Sequence, residues 1–341
     1  MTIQNAIAQV IAGQDLKRAE MQAVMHQLMT GECTPAQIGG LLVALRMKGE
    51  SVDEITAAAK VMAELATHVR VDAKPLIDIV GTGGDGTQTF NVSTAASFVA
   101  AGAGAKVAKH GNRSVSSKSG SADLLEAAGA NLELTADQVA TVIESAGVGF
   151  MFAPMHHSAM KHAIGPRKEM AVRTIFNVLG PLTNPAGVKR QVIGVFSQDL
   201  LEPLATVLGN LGSEHAMVVR GDDGMDEISI CAPTHVAEIQ DGELQSFTIS
   251  PEQFDMPLAN LEDITVSGPE QSLETINAVL DGKPGAARNI VALNAGAGIY
   301  VAGLVDTLPE GVQAALDSID SGKASAAKKA YVEATQRVSH A

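Results

Sequence analysis

The 341-residue sequence has no tryptophan, and only 3% of it is aromatic. Its interior must therefore be filled by Ala, Val, Leu, Ile and Met. Hydrophobic residues reach 46% and charged residues only 18%, which excludes general disorder. Cysteine is nearly absent. Cys33 and Cys231 stand alone, with no CxxC or Cys/His spacing, so a zinc site is disfavoured and a secreted disulfide scaffold is excluded. Each is expected to be a small buried residue in a reducing, cytoplasmic setting. The opening stretch MTIQNAIAQVIAGQDLKRAE has no basic leader or apolar h-region, so it does not read as a signal peptide. No apolar run is long enough to cross a bilayer, since SFVAAGAGAKVA is short and glycine-rich. Positive charge is scarce too. Lys and Arg number 24 against 38 Asp and Glu, a net −14, which disfavours an overall basic nucleic-acid or membrane binder.

The length suggests about two domains. Residues 1–72 read as helices only. Ile3, Ile7, Val10 and Ile11 have helical spacing up to Gly13, and a second run over about 15–30 stops at Gly31. Thr34-Pro35-Ala36-Gln37 and Ser51-Val52-Asp53-Glu54 are capping boxes. They open one helix that stops near Gly49 and another that reaches about Val71. From residue 75 short apolar runs alternate with helical ones, the pattern of parallel βαβ units. Strands are expected at 76–80, 105–109 and 148–152, and helices at 94–102, 121–128 (with Ser121 as a cap) and 135–146. Residues 155–178 read as helical and end in the breaker GPLTNP. Strands follow at 192–196, 216–220 and 227–230, then a hairpin turn at Asp241-Gly242, then a mostly helical end. The expected fold class is α/β: a small all-helical domain plus a larger α/β domain with a mainly parallel sheet flanked by helices. The helical domain would be 1–72, joined by helices from about 155–188. The α/β domain would be 73–154 and 189–341.

Glycine is plentiful, 33 residues, and it clusters. Gly81-Thr82-Gly83-Gly84-Asp85-Gly86 follows the first strand and matches G-x-G-x-x-G. A dinucleotide site is disfavoured, because no helix opens inside the glycines and the region about 20 residues on offers Lys106 and Lys109 instead of an acid. No Lys-Ser/Thr follows, which excludes a Walker loop. The remaining readings are a tightly packed turn or an anion site. The second is favoured by free backbone N–H groups and by Asn91, Ser93 and Thr94 at the start of the next helix.

Two windows concentrate the scarce positive charge. Gly86–Ala122 contains no acid and carries +4. Met151–Val192 carries +5, with Glu169 its only acid. A solvated basic face would account for the second window. The first holds Lys109-His110-Gly111-Asn112-Arg113-Ser114-Val115-Ser116-Ser117-Lys118-Ser119-Gly120-Ser121 between a strand and a helix, a set of groups suited to phosphate oxygens. Asp222, Asp223, Asp226 and Glu227 follow a later strand. Alone they read as an acidic surface loop. Beside a phosphate site they suit Mg²⁺, a hard cation that wants oxygen ligands. His156, His157 and His162 have poor ligand spacing and read as polar surface or site-lining residues.

The segments GTGGDGTQTFNVST, KHGNRSVSSKSGSADLLEAAGA and GPRKEMAVRTIFNVLGPLTNP, in that order, resemble the anthranilate phosphoribosyltransferase family of tryptophan biosynthesis. The resemblance runs from about residue 5 to 335. It implies transfer of the phosphoribosyl group of 5-phosphoribosyl 1-diphosphate to the amine of anthranilate, with Mg²⁺ as cofactor and a homodimer paired through the helical domain. By position, it implies that Gly81, Gly84, Asp85, Thr89, Asn91, Val92, Ser93 and Thr94 hold the diphosphate substrate. Lys109, His110, Gly111, Asn112, Arg113, Ser114, Val115, Ser116, Ser117 and Ser121 would hold it too. Ser93, Asp226 and Glu227 would bind Mg²⁺. Gly81, Asn112, Arg167, His110 and Pro181 would face anthranilate, with Arg167 toward its carboxylate. No covalent nucleophile is implied. The competing readings are a pyrimidine nucleoside phosphorylase of the same fold and a non-catalytic nucleic-acid-binding relative.

Overall fold

The computed structural model describes residues 1–113 and 119–339. Four helices open the chain: α1 (Ile3–Ile11), α2 (Arg18–Thr30), α3 (Pro35–Lys48) and α4 (Val52–Glu64). The two capping boxes close as the sequence predicts. The Thr34 hydroxyl accepts from the Gln37 N–H while the Gln37 side chain accepts from the Thr34 N–H, and Ser51 and Glu54 do the same. Helix α4 stops at Glu64 instead of running to about Val71. The Thr67 N–H donates to the His156 carbonyl at 2.8 Å and the Val69 N–H to the Pro185 carbonyl at 3.0 Å. Tertiary partners thus take the groups that a longer helix would have used.

The alternating section follows as β1 (Leu76–Gly81), α5 (Val92–Gly102), β2 (Lys106–Gly111), α6 (Ser121–Ala127), α7 (Ala136–Ala146) and β3 (Val148–Phe152). Helix α6 is capped by Gly120, with Ser121 as its first residue rather than its cap. The single helix expected over 155–178 is instead α8 (Ala153–His156), a 3₁₀ turn at Ser158–Met160, α9 (Lys161–Met170) and α10 (Phe176–Leu182). Ala171, left-handed at φ 52°, separates α9 from α10. The rest is β4 (Arg190–Gly194), α11 (Leu201–Asn210), β5 (His215–Gly221), β6 (Thr234–Gln240), β7 (Glu243–Ile249), α12 (Pro269–Leu280), α13 (Ala286–Val301), α14 (Leu308–Asp320) and α15 (Lys323–Ser339). Both cysteines are free and only half-buried, not fully buried as expected.

The strands form one sheet in the order β3-β2-β1-β4-β5-β6-β7. The first five are parallel, and β6 and β7 are added antiparallel through the Asp241-Gly242 turn. Residues 227–230, expected as a strand, are not one. Asn294 on α13 takes both backbone groups of Ile228: its Oδ1 accepts the N–H at 2.9 Å and its Nδ2 donates to the carbonyl at 2.9 Å. One amide side chain replaces the neighbouring strand that this apolar run would otherwise need.

Each face of the sheet has its own core. Ile77, Ile79, Val192, Met217 and Val219 pack with α5, α7 and α12–α15. Ile193, Val195, Ala216 and Val218 pack with α11 and with the N-terminal helices, and Ala163, Phe176 and Leu179 join this second core. Within it, Glu54 is fully buried. Its carboxylate accepts from Lys48 Nζ at 2.8 Å and from the Leu16 and Ser51 N–H groups at 2.9 and 2.8 Å. Removing the acid strands the buried Leu16 N–H and takes its buried partner from Lys48, which keeps only Asp15 and the Gly49 carbonyl. Glu54→Ala should therefore lower unfolding stability by about 3 kcal/mol, read as a shift in urea midpoint. An unchanged midpoint would mean that water reaches the site.

Candidate active site

The strand order reverses between β1 and β4: β2 and β3 lie on one side of β1, and β4 and β5 on the other. In an open α/β sheet a crevice forms at such a reversal, beyond the carboxyl ends of the strands. Strands β1, β2, β4 and β5 all end there in glycine, at Gly81, Gly111, Gly194 and Gly221. Two of these are needed for close approach. A side chain at Gly194 would collide with the backbone of Asp226, and one at Gly81 would meet the Asp226 carboxylate at 2.5 Å. The acidic loop thus lies directly on the strand ends.

The glycine loop 81–86 is held from two directions. The Thr82 N–H donates to the Gly194 carbonyl at 2.9 Å, and the Thr82 hydroxyl accepts from the Phe196 N–H at 3.2 Å. The Gly83 N–H donates to Asp226 Oδ2 at 2.6 Å. Gly84 offers its carbonyl to Arg173, whose guanidinium lies 4.3 Å over the Phe196 ring. Asp85 accepts from both the N–H and the hydroxyl of Thr87. Thr89 bridges to Thr265, fixing the way into α5. Asn91 caps α5, and its side chain is bonded to Ser119 and Ser272. Val92, Ser93 and Thr94 form the first turn, and the buried Thr94 hydroxyl has no partner among the described residues.

Lys109 is the centre of the arrangement. Only 3% of it is exposed, yet it is a cation. Its Nζ donates to the Ile79 carbonyl at 2.6 Å and to Ser93 Oγ at 3.1 Å. The Ser93 N–H in turn donates to Glu227 Oε1 at 3.2 Å. Burial pushes the Lys109 pKa down, while Asp78, Glu227 and Asp226 pull it back up. Burial pushes Glu227 up to about 8 against the pull of Lys109. Asp226 is raised well above the usual carboxylate range by burial and by repulsion from Asp85 and Glu227. An acid pair strained in this way fits a hard cation, which would relieve both the repulsion and the desolvation. Among the described residues no three His, Cys, Asp or Glu side chains are close enough to hold a metal alone. That suits Mg²⁺, which commonly takes one or two carboxylates and completes its shell with substrate phosphates and water.

A second group lies along β2 and α10. His110 is buried, and its Nδ1–H donates to the Gly180 carbonyl at 3.1 Å, next to Pro181 in the last turn of α10. Its ring centroid is 5.0 Å from that of His157. Among the described residues, the Nε2 atoms of both histidines are buried without a partner. Burial lowers both pKa values, His110 to about 3 and His157 to about 4. Both rings are therefore neutral, and His110, with its Nδ1–H given to Gly180, leaves an Nε2 lone pair to accept a hydrogen bond. Arg167, on α9, is half-buried with its guanidinium 5.1 Å over the Phe176 ring.

Among the expected site residues, Lys109, Ser93 and Glu227 form one bonded group, and Asp226, bonded to Gly83, packs against Gly81 beside it. His110 and Pro181 sit together beside it. Asn112 and Ser121 are neighbours, the Ser121 hydroxyl donating to the Asn112 carbonyl at 3.4 Å. Arg113 is engaged elsewhere: it pairs with Glu126 through two bonds of 2.6 and 2.8 Å and stacks over Phe152. Ser114, Val115, Ser116 and Ser117 lie outside the described residues. The sequence reading missed Asp78, Asn184, Arg173 and Asn294. Asp78 alone carried a signal, a single acid inside the apolar run Leu76–Val80.

Residues 4–66 match the helical bundle domain of the glycosyl transferase family, and residues 73–325 match its a/b domain. The anthranilate phosphoribosyltransferase of Teredinibacter turnerae is 58% identical over 98% of this chain and 99% of its own length. That of Thioalkalivibrio sulfidiphilus is 61% identical over 95% of this chain and 96% of its own. Among solved structures, anthranilate phosphoribosyltransferase from Thermus thermophilus superposes with a TM-score of 0.92 at 44% identity, over 97% of this chain and 99% of that one. The Saccharomyces cerevisiae enzyme in complex with PRPP and Mg superposes with a TM-score of 0.91 at 26% identity, over 98% of each chain.

The neutral histidines generate a pH prediction. A histidine whose folded pKa lies below its unfolded 6.5 costs nothing above that pH and destabilises the fold as pH falls through the window. His157→Asn removes one such group. Its stability relative to the parent should rise by about 2 kcal/mol between pH 7 and pH 4.5, measured by urea unfolding at each pH. A constant difference would mean that His157 is hydrated in the fold.

Proposed function

The chain belongs to the glycosyl transferase family that joins a helical bundle domain to an a/b domain, and on that premise we propose that it is an anthranilate phosphoribosyltransferase. It transfers the phosphoribosyl group of 5-phosphoribosyl 1-diphosphate to the amine of anthranilate, giving N-(5-phosphoribosyl)anthranilate and pyrophosphate, a step of tryptophan biosynthesis. The single observation that carries the reading at the level of the site is the bonded group Lys109–Ser93–Glu227, set against the glycine loop at the sheet's reversal point.

The proposed division of labour follows from the geometry. Gly81, Gly84, Asp85, Thr89 and Asn91 through Thr94 form the diphosphate cradle, with backbone N–H groups and the α5 terminus toward the anion. Lys109 through Arg113 and Ser121 extend that cradle, with Ser114 through Ser117 in the same set. Lys109 is held by Ile79 and Ser93 and presents a charge that water cannot screen. Arg113 would first have to leave Glu126. Asp226, Glu227 and the Ser93 hydroxyl would hold Mg²⁺, which when bound neutralises charge on the departing pyrophosphate. Arg167 offers a guanidinium to the anthranilate carboxylate, while Gly81, His110, Asn112 and Pro181 shape the pocket for its ring. No covalent nucleophile is required. Rate comes from holding the amine near the ribose carbon and from stabilising the leaving group.

The same reading divides the chain into a helical unit of residues 1–72 with helices from 155–188, and an α/β unit of 73–154 and 189–341. It pairs two copies through the helical unit. Ile11 on α1 and Val43 and Met47 on α3 support this, because they leave apolar surface there, with Met47 83% exposed. Among the described residues no helix is long and apolar enough to cross a membrane, and we place the enzyme in the cytoplasm.

The test is loss of anthranilate fluorescence in the presence of 5-phosphoribosyl 1-diphosphate and Mg²⁺. Decay should require all three components, and Asp226→Asn with Glu227→Gln should raise the Mg²⁺ concentration needed for half-maximal rate by about ten-fold or more, the loss of ~1.4 kcal/mol of binding. Phosphorolysis of thymidine or uridine without such decay would favour the nucleoside phosphorylase. DNA binding that weakens steeply with salt, with neither activity, would favour the nucleic-acid-binding relative. Arg167→Ala should raise the KM for anthranilate by ~100-fold, as loss of a charged hydrogen bond would, and leave that for the diphosphate nearly unchanged. Equal effects on both constants would remove Arg167 from the anthranilate site.

A further inference from the structure

One buried network is not used in the scheme above. Asp78 lies in the middle of β1 with no exposed surface. A carboxylate there is costly to retain unless it is bonded. Its Oδ2 accepts from Asn184 Nδ2 at 2.7 Å, and its Oδ1 faces the His110 N–H at 3.4 Å. Asn184 uses its whole amide. The same Nδ2 donates to the Ala108 carbonyl at 2.8 Å, and Oδ1 accepts from the Ala186 N–H at 2.9 Å. An asparagine has two donors and one acceptor oxygen to place, and here all are bonded in a buried setting.

Asn184 stands two residues after α10, and α10 ends in Gly180-Pro181-Leu182. That turn is pinned at two further points. The Gly180 carbonyl accepts from His110 Nδ1 at 3.1 Å, and the Pro181 carbonyl accepts from Gln191 Nε2 at 3.0 Å. Gln191 is the register partner of Asp78 across β1 and β4. Three adjacent strands therefore grip one short segment, through His110 on β2, Gln191 on β4 and Asp78 on β1, and Asn184 is the only member of the segment that holds by its side chain to two strands at once. Arg167 and Phe176, by contrast, lie on α9 and α10, whose Ala163, Phe176 and Leu179 are buried with the N-terminal helices.

We propose that Asn184 is a positioning residue for anthranilate: by bonding Asp78 and the Ala108 carbonyl it locks the Gly180-Pro181 turn against His110 and so sets the wall that His110 and Pro181 present to the substrate's ring. This rests on the transferase reading above. It touches neither substrate itself, and its larger effect is on anthranilate: the Gly180-Pro181 turn that it locks contributes nothing to the diphosphate cradle, while Lys109 in that cradle keeps its own bonds to the Ile79 carbonyl and Ser93.

The experiment is steady-state kinetics of Asn184→Leu beside the parent enzyme, with both substrates varied. Leucine has the same branched heavy-atom skeleton and cannot bond. The KM for anthranilate should rise about ten-fold, the size expected when one buried polar anchor is lost. The KM for the diphosphate and the kcat at saturating anthranilate should stay within about two-fold. The exchange variant Asp78→Asn with Asn184→Asp reverses donor and acceptor, and it should recover more than half of the loss that Asn184→Asp shows alone. Equal rises in both KM values, or a lowered melting temperature with unchanged kinetics, would overturn the proposal. If Asn184→Leu does not fold, the comparison of Asn184→Asp with the exchange variant decides in the same terms. If the parent itself fails to consume anthranilate, the transferase reading falls, a result distinct from failure of the Asn184 assignment.

Discussion

The buried ammonium of Lys109 is the constraint on which the rest of the site depends. A cation with 3% exposure must find partners within the protein. It finds the Ile79 carbonyl at the end of β1 and the Ser93 hydroxyl at the start of α5. Both are fixed by secondary structure, so the charge is held where β1, α5 and the acidic loop converge. The surrounding carboxylates do not simply neutralise it. Asp78 is raised to about 6 and Glu227 to about 8, because burial outweighs the attraction of the one ammonium. More acid than base has been gathered out of water. Such a site is poised for a divalent cation and a polyanion arriving together, each offsetting a charge the other leaves.

That concentration of charge is possible because the backbone can pack so closely at the strand ends. Glycine at 81 and 194 lets the loop carrying Asp226 rest on the sheet with no intervening side chain. Asn294 then holds this loop from α13 by both backbone groups of Ile228. The acidic pair is thereby placed by a helix nearly 70 residues later in the chain. The opposite side of the pocket is placed differently. Arg167 rides on α9, which packs with the N-terminal helices, while His110 and Pro181 are tied to the sheet. The groups assigned to anthranilate thus come from α9, from the end of α10 and from β2.

Much of this was legible in the residues. The capping boxes at Thr34 and Ser51, the glycine stops at 13, 31 and 49, and the hairpin at Asp241-Gly242 all depend on contacts within a few residues, and those expectations held. Errors arose where distant partners intervened. Residues 227–230 have the composition of a strand, but Asn294 supplies their pairing. The chain after Glu64 has helical periodicity, but His156 and Pro185 claim its N–H groups. Residues 155–178 break at Ala171, whose left-handed backbone ends α9.

The sequence alone determined the class of the fold, the position of the glycine loop and the segregation of positive charge into two windows. Periodicity, caps and turn residues are local properties, and charge is additive along a chain. Only the tertiary structure decided which of the charged groups face one another. Lys109 meets Glu227 through Ser93, Asp226 meets the loop at Gly83, and Asp78 meets Asn184, each across more than 100 residues of sequence. Arg113, adjacent to the cradle in sequence, is turned to Glu126 instead. The physical reason is that an electrostatic contact depends on distance through space and on exclusion of water, and neither is set until the sheet and its two layers of helices have closed around the site.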